Sequence, residues 1–233
     1  MIFNLLQTVT DTTALAGAMA PVQQEMKLSL IDMATKGGLL MVVLLLLSVM
    51  AIYIFGSKWW MIRRASSIDK HFMKDIHDMI HDGKIKSAIA LCQKYDSPVA
   101  RLVEKGIERI GRPLQDIQTA VENMGNVEVA RLEKGLPMLA TIAGGAPMIG
   151  FLGTVTGMIE AFFRMSTAGN NIDITLLSGG IYEAMVTTVG GLFVGIIAYF
   201  GYNFLTSQIS NLVFKMERTT IEFIDMLQEP STK

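Results

Sequence analysis

The chain has 233 residues, of which 51% are apolar and 18% charged, with a net charge of −1 and a single cysteine. Soluble domains carry about 25% charged residues, so this composition, with a mean hydropathy of +0.41, points to a membrane setting. Near-neutrality excludes long-range attraction to nucleic acid. Lone Cys92 excludes an internal disulfide and predicts a free thiol in a reducing compartment.

Residues 1–36 read as a tail outside the membrane. Leu5–Ala20 is mildly apolar and ends in Ala18-Met19-Ala20, the shape of a cleavage site. It lacks a positive n-region and contains Asp11, so a retained tail is favoured over a removed leader. From about Val22 to Ala34, Met26, Leu30 and Met33 recur at helical spacing, which predicts an amphipathic helix along the membrane surface.

Crossing ~30 Å of hydrocarbon takes about 20 helical residues. Residues 37–57 form a first span with leucines at its centre, closed by Lys58, Trp59, Trp60, Arg63 and Arg64 as an aromatic belt followed by cations. Residues 58–134 form a helical region outside the bilayer. Ile68, Phe72, Ile76 and Ile80 keep an i, i+4 period, and Asp82-Gly83 makes a break. Ile85, Ala88, Ile89 and Cys92 start another helix that stops near Ser97-Pro98. After Gly111-Arg112-Pro113, a helix beginning near Leu114 is expected to run through Val121 and Val129 into the second span.

The second span covers residues 135–163, charge-free from Gly135 to Ile159, with Pro137 and Pro147 inside it. A short external loop, 164–174, leads to a third span at 175–206, and 207–233 form a C-terminal helix. The leucine-rich first span is expected to face lipid, and the Gly- and Thr-rich second and third to pack against protein. The region from Lys58 to Lys134 holds 14 of the 20 Lys and Arg, and Arg63, Arg64, Arg131 and Lys134 lie close to the spans. By the positive-inside rule the N-terminus is outside and the C-terminus inside.

Glu183 is the only acidic, basic or histidine residue between Ile174 and Phe214. A carboxylate at bilayer depth costs on the order of 2.5–3.5 kcal/mol by insertion scales and normally faces a bundle interior or a water-filled path. Moving charge across a membrane is therefore a better reading than covalent chemistry. Thr187, at i+4, lies about 40° round the helix from Glu183, whereas Thr188 lies roughly 140° away. Spacing thus favours Thr187 as the companion of Glu183. Thr154, Thr156, Thr187 and Thr188 either back-bond to their own helix or hold water and relay protons.

Gly150, Gly153, Gly157 and Ala161 make one narrow stripe, and Ala184, Thr188, Gly191 and Gly195 another. Small residues at this spacing let helices approach closely. They serve as packing faces, as a pore wall, or as both on different faces of an oligomer. His77 and His81 are spaced to share a metal but lack the Glu of the zinc-hydrolase motif, so a solvated helix face is the reading and no metal is expected. Glu160 and Arg164 form an i, i+4 anchor worth ~0.3–0.5 kcal/mol. With no Gly-rich phosphate loop and no nucleophile–base arrangement, neither an enzyme nor a cofactor is expected. A solute transporter would want repeated spans, and a structural scaffold would tolerate loss of the Glu183 charge.

Three segments carry a resemblance. Ala130-Arg131-Leu132-Glu133-Lys134-Gly135-Leu136-Pro137-Met138-Leu139-Ala140-Thr141-Ile142-Ala143 leads into Ala146-Pro147-Met148-Ile149-Gly150-Phe151-Leu152-Gly153-Thr154-Val155-Thr156-Gly157-Met158-Ile159. Ile181-Tyr182-Glu183-Ala184-Met185-Val186-Thr187-Thr188-Val189-Gly190-Gly191-Leu192 follows. The pattern resembles the ExbB/TolQ branch of the MotA/TolQ/ExbB proton-channel family, with ExbB favoured, and departs from it at Gly144-Gly145.

The resemblance implies an all-α integral membrane protein with three transmembrane helices, the second and third extending into a helical cytoplasmic region. It further implies a homo-pentamer in the bacterial inner membrane around a single-span ExbD/TolR-like dimer, with membrane lipids about it. The complex would use the proton motive force to energise a TonB-type protein for outer-membrane transport, or a TolA-type protein in a Tol-Pal-like system. Thr154, Glu183 and Thr188 match the family's polar pore positions, so the resemblance favours Thr188 where spacing favours Thr187.

Overall fold

The computed structural model describes residues 38–66, 71–167 and 174–228, with the side chains of the last segment from residue 178 onward. The tail with its surface helix and cleavage motif, Ile68 and most of the external loop lie outside the described residues. Seven helices are described: α1 (Gly38–Ala65), α2 (Phe72–His81), α3 (Ile85–Lys94), α4 (Pro98–Ile107), α5 (Leu114–Glu133), α6 (Leu136–Thr167) and α7 (Ile174–Gln228). No strand occurs among the described residues. Three stretches, within α1, α5–α6 and α7, are long and apolar enough to cross a membrane.

The seat of the fold is α7. Its 55 residues make a helix of about 80 Å, more than twice the ~30 Å of hydrocarbon. Neither Gly nor Pro interrupts it after Gly201, so nothing local stops it at the membrane surface. Contacts along its length set the directions of the other two long helices. Met41 of α1 meets Gly190, Phe55 meets Gly201 and Ser66 meets Lys215, so α1 runs parallel to α7. Gly157 of α6 meets Ala184, Gly150 meets Gly191 and Pro147 meets Gly195, so α6 runs antiparallel to both. The face of α1 away from α7 is apolar and exposed at Leu39, Val42, Leu46 and Val49.

Beyond the spans, α2 to α5 pack on the far part of α7. Phe72, Ile76, Ala88 and Cys92 are buried from α2 and α3, and Leu205, Ile209, Leu212, Met216 and Phe223 from α7. Helix α4 is a finding the spacing argument missed. Its signal was present, since Pro98 fits the first helical turn and Val99, Leu102, Val103 and Ile107 recur on one face. Ser97 does not cap α4; its hydroxyl donates to the Ala65 carbonyl at 3.1 Å and so closes the open end of α1. Gly106 of α4 accepts the fully buried Phe223 ring, and a Cβ there would overlap the ring.

The expected continuous helix from Leu114 into the second span is corrected: α5 and α6 are separate. Lys134 turns extended (ψ 120°) and Gly135 is left-handed (φ +94°). In an unbroken helix Pro137 would clash with the Glu133 carbonyl and leave it without its N–H partner. Breaking two residues earlier places Pro137 in the first turn of α6, where no N–H is needed. The Lys58 ammonium donates to the last carbonyls of α5, Arg131 O at 3.3 Å and Leu132 O at 3.5 Å, so α1 caps the helix that ends beside it.

One buried ion pair joins α4 to α5. The Arg101 guanidinium donates to both oxygens of Glu128, at 2.8 and 2.7 Å, and to Asp96 at 3.0 Å. Glu128 is 2% exposed. The hydrogen bonds it donates to Glu128 hold Arg101 above its ordinary pKa, so it stays charged at any working pH. Losing one partner of such a pair costs roughly 3–5 kcal/mol, whereas replacing both by apolar groups is often neutral. Glu128→Ala is therefore expected to lower the thermal unfolding midpoint in detergent far more than the double replacement Arg101→Met with Glu128→Leu. Equal losses would contradict the pairing argument.

Cys92 is 1% exposed, and burial pushes its thiol up to about 12, with the Glu104 charge adding to the shift. Thiolate is the reactive form. Maleimide labelling of the folded protein near neutral pH is expected to be roughly two to three orders of magnitude slower than in denaturing detergent. Comparable rates would place the thiol at the surface.

Candidate functional site

Helices α6 and α7 meet along a seam of small residues. A Cβ on Gly150 would stand 2.9 Å from the Thr187 carbonyl and 3.1 Å from the Cα atoms of Gly191 and Thr188. One on Gly191 would stand 2.6 Å from the Ala146 carbonyl, and one on Gly157 2.7 Å from the Ala184 Cβ. At Gly153 it would overlap the Thr187 side chain. Gly195 lies against the Pro147 ring and the Ala143 carbonyl, which Pro147 leaves without its usual helical donor. Both stripes read from the sequence lie in this seam, and the structure adds Thr187, Ala146 and the contact of Gly180 with Ala161. Gly144 and Gly145 have open space where a Cβ would be and sit within an unbroken α6.

The four span hydroxyls divide sharply. Thr154 donates to Phe151 O at 2.6 Å, Thr156 to Leu152 O at 2.9 Å, and Thr187 to Ala184 O at 2.7 Å, all within their own helices. Thr188 alone crosses the seam, donating to the Gly150 carbonyl at 2.9 Å. In an α-helix that same carbonyl receives the N–H of Thr154, four residues on. Thr154 and Thr188 therefore border one carbonyl at one level of the helix pair, and both are half-buried.

Glu183 occupies a different face. Its side chain is exposed, and a Cβ on Gly38 would come within 3.3 Å of its Oε1. Gly190 and Gly201 share this α1-facing side of α7. Seam residues Ala184, Thr187 and Gly191 lie next to it, and exposed Met185, Val189, Phe193 and Phe200 lie opposite the seam. Thr187, the companion that spacing favoured, turns its hydroxyl into the seam and is 3% exposed. The structure thus brings Thr154 and Thr188 together and leaves Glu183 beside the start of α1.

The other sequence candidates stand apart. The His77 and His81 rings stack at 6.3 Å on α2, and His77 Nδ1 lies 3.5 Å from Asp78 Oδ1. Among the described residues no three His, Cys, Asp or Glu side chains converge as a metal site. Arg164 and Glu160 pair one turn apart at the exposed end of α6.

The model of the MotA/TolQ/ExbB proton channel family matches residues 94–218, which takes in α4, α5, the whole seam and most of α7. The chain belongs to that family. Its three apolar helices make this MotA/TolQ/ExbB member a multi-pass membrane protein. It is 29% identical over 180 residues to an ExbB-like biopolymer transport protein of Synechocystis sp., covering 76% of this chain and 71% of that one. Biopolymer transport protein ExbB of Xanthomonas campestris pv. campestris is 36% identical over 90 residues, 39% of this chain and 35% of its own. Tol-Pal system protein TolQ of Haemophilus influenzae is 39% identical over 85 residues, 36% of this chain and 37% of its own. In the last two the match spans only about a third of the relative's length.

The seam makes a sharp prediction. Gly150→Ala and Gly191→Ala push a methyl group into backbone that cannot step aside, and overpacking of this kind costs about 1–3 kcal/mol. Gly145→Ala fills open space and is expected to be neutral or slightly stabilising. Thermal unfolding of the three variants in detergent checks this; similar midpoints for all three would contradict the packing.

Proposed function

We propose that this chain is the proton-channel subunit of a complex in the bacterial inner membrane, driven by the proton motive force, that energises a TonB-type protein for outer-membrane transport. The observation that carries the reading is Glu183, the lone charged residue in the apolar stretch of α7 from Ile174 to Phe214, within the segment matched by the family. Thr154 and Thr188 supply hydroxyls on the α6–α7 pair. In the proposed assembly five copies surround a single-span ExbD/TolR-like dimer, with Thr154 and Thr188 facing the lumen and Glu183 a neighbouring subunit. The N-terminus is external and the C-terminus cytoplasmic. Thr187 serves the seam and supports Glu183 only through the backbone of α7.

A potential of 100 mV supplies about 2.3 kcal/mol per charge crossing the membrane. Protonating and releasing an acidic side chain of the partner would let that energy rearrange the dimer inside the ring. Glu183, beside the path, tunes the local field or passes the proton on. The match to Haemophilus influenzae TolQ favours a second reading, in which the energised protein belongs to a Tol-Pal-like envelope system.

Glu183→Gln, and separately Thr154→Val with Thr188→Val, are expected to abolish energy-dependent outer-membrane uptake while the complex still assembles. Full uptake in both variants would remove the proton-path assignment. Deletion separates the two systems: loss of uptake supports the TonB-type reading, and sensitivity to detergents with uptake intact supports the Tol-Pal-like one.

A further inference from the structure

At the other end of the spans from Glu183, a cavity of about 770 Å³ lies between the basic end of α1 and the middle of α7. Three cations line it: Arg63 from α1, and Lys215 and Arg218 from α7. None of the three pairs with a carboxylate among the described residues. Lys215 donates one hydrogen to the Ser66 hydroxyl at 3.0 Å, and the Arg63 guanidinium lies 5.7 Å from the centre of a Trp59 ring. Most of their donors remain available, and Asn211 adds another polar lining group. Three like charges facing one space repel each other unless an anion joins them.

The cavity adjoins a second, apolar one. Phe204 lines both, and beyond it a groove of about 310 Å³ runs between α1 and α7, walled by Ile52, Phe55, Leu139 and Ile197. Trp59 and Trp60 mark the boundary level, where aromatic side chains meet lipid headgroups. The two spaces together match an amphiphile, with an anionic head among the cations and a chain in the groove.

We infer that this junction binds an anionic phospholipid, its phosphate held by Arg63, Lys215 and Arg218 and one acyl chain by the groove beside Phe204. Arginine meets phosphate in bidentate fashion, and basic pockets between membrane helices take anionic headgroups. A free phosphate would leave the groove unused. The bound lipid ties the end of α1 to α7 at a level where Ser66 and Lys215 make the direct polar contact between them. The site is independent of the proton-path reading.

The test uses the full complex, purified in neutral detergent, stripped of lipid, and titrated by native mass spectrometry. The probes are dioleoyl phosphatidylglycerol, dioleoyl phosphatidylcholine and glycerol 1-phosphate. Phosphatidylglycerol is expected to bind at least tenfold more tightly than phosphatidylcholine. Arg63→Gln with Lys215→Gln and Arg218→Gln should bring it down to the phosphatidylcholine level, and Arg63→Lys with Arg218→Lys should keep most of the preference. Ile197→Trp, which fills the groove and leaves the cations intact, should weaken phosphatidylglycerol and covers the case of a poorly folded triple variant. Equal binding of the two lipids, or full retention in both the triple variant and Ile197→Trp, would overturn the site. Displacement of the lipid by glycerol 1-phosphate would show a free-phosphate site instead. A changed oligomer mass in the triple variant with an unchanged lipid count would place a second copy of the chain in the cavity and overturn it equally.

Discussion

Backbone-to-backbone contact between α6 and α7 is the constraint on which the membrane part depends. In lipid, burying apolar side chains between helices gains little, because the acyl chains are as apolar as the side chains. Association then rests on close dispersion contact and on hydrogen bonds that only close approach permits. Gly150, Gly153, Gly157 and Gly191 supply the approach, and the Thr188 bond to the Gly150 carbonyl shows what it allows. The same contact fixes the rotation of α7. Once Ala184, Thr187 and Gly191 are held against α6, Glu183, Gly190 and Gly201 must turn towards α1. The remaining face, with Met185, Val189, Phe193 and Phe200, is left outward.

Outside the bilayer the logic changes, because water is again the competing solvent and apolar burial drives packing. Phe223 closes against Gly106, and the Arg101–Glu128 pair locks α4 to α5. Since α7 is one uninterrupted helix, the level of Glu183 and the level of Phe223 belong to a single rigid element. The helix runs unbroken from one level to the other. The lipid site inferred at the α1–α7 junction lies between the two regimes, at the level where both solvents meet.

Much of this was legible in the residues, and what was not has identifiable reasons. Span existence followed from uninterrupted apolar length, and the glycine stripes followed from a period of about 3.6 residues. The break at Gly135 was not read, although a Gly two residues before Pro137 carries the signal in its chemistry. The start of α4 is hidden because Ser97-Pro98 signals the end of α3, while proline equally opens a helix. The Arg101–Glu128 pair joins residues 27 apart in different helices, and no local pattern encodes such a meeting. Thr187 illustrates a further limit. Its angular position near Glu183 followed from helix geometry, but its hydroxyl takes the Ala184 carbonyl of its own helix, with Gly153 of α6 packed against the side chain.

The most direct test is proton flux. Liposomes holding the complex, co-purified with the proposed single-span partner and carrying an interior pH dye, would be given an inside-negative potential through potassium efflux. The account predicts acidification that rises with the imposed potential and is greatly reduced when Thr188 is replaced by Val. Flux no greater than in empty liposomes would contradict it, as would flux indifferent to that substitution.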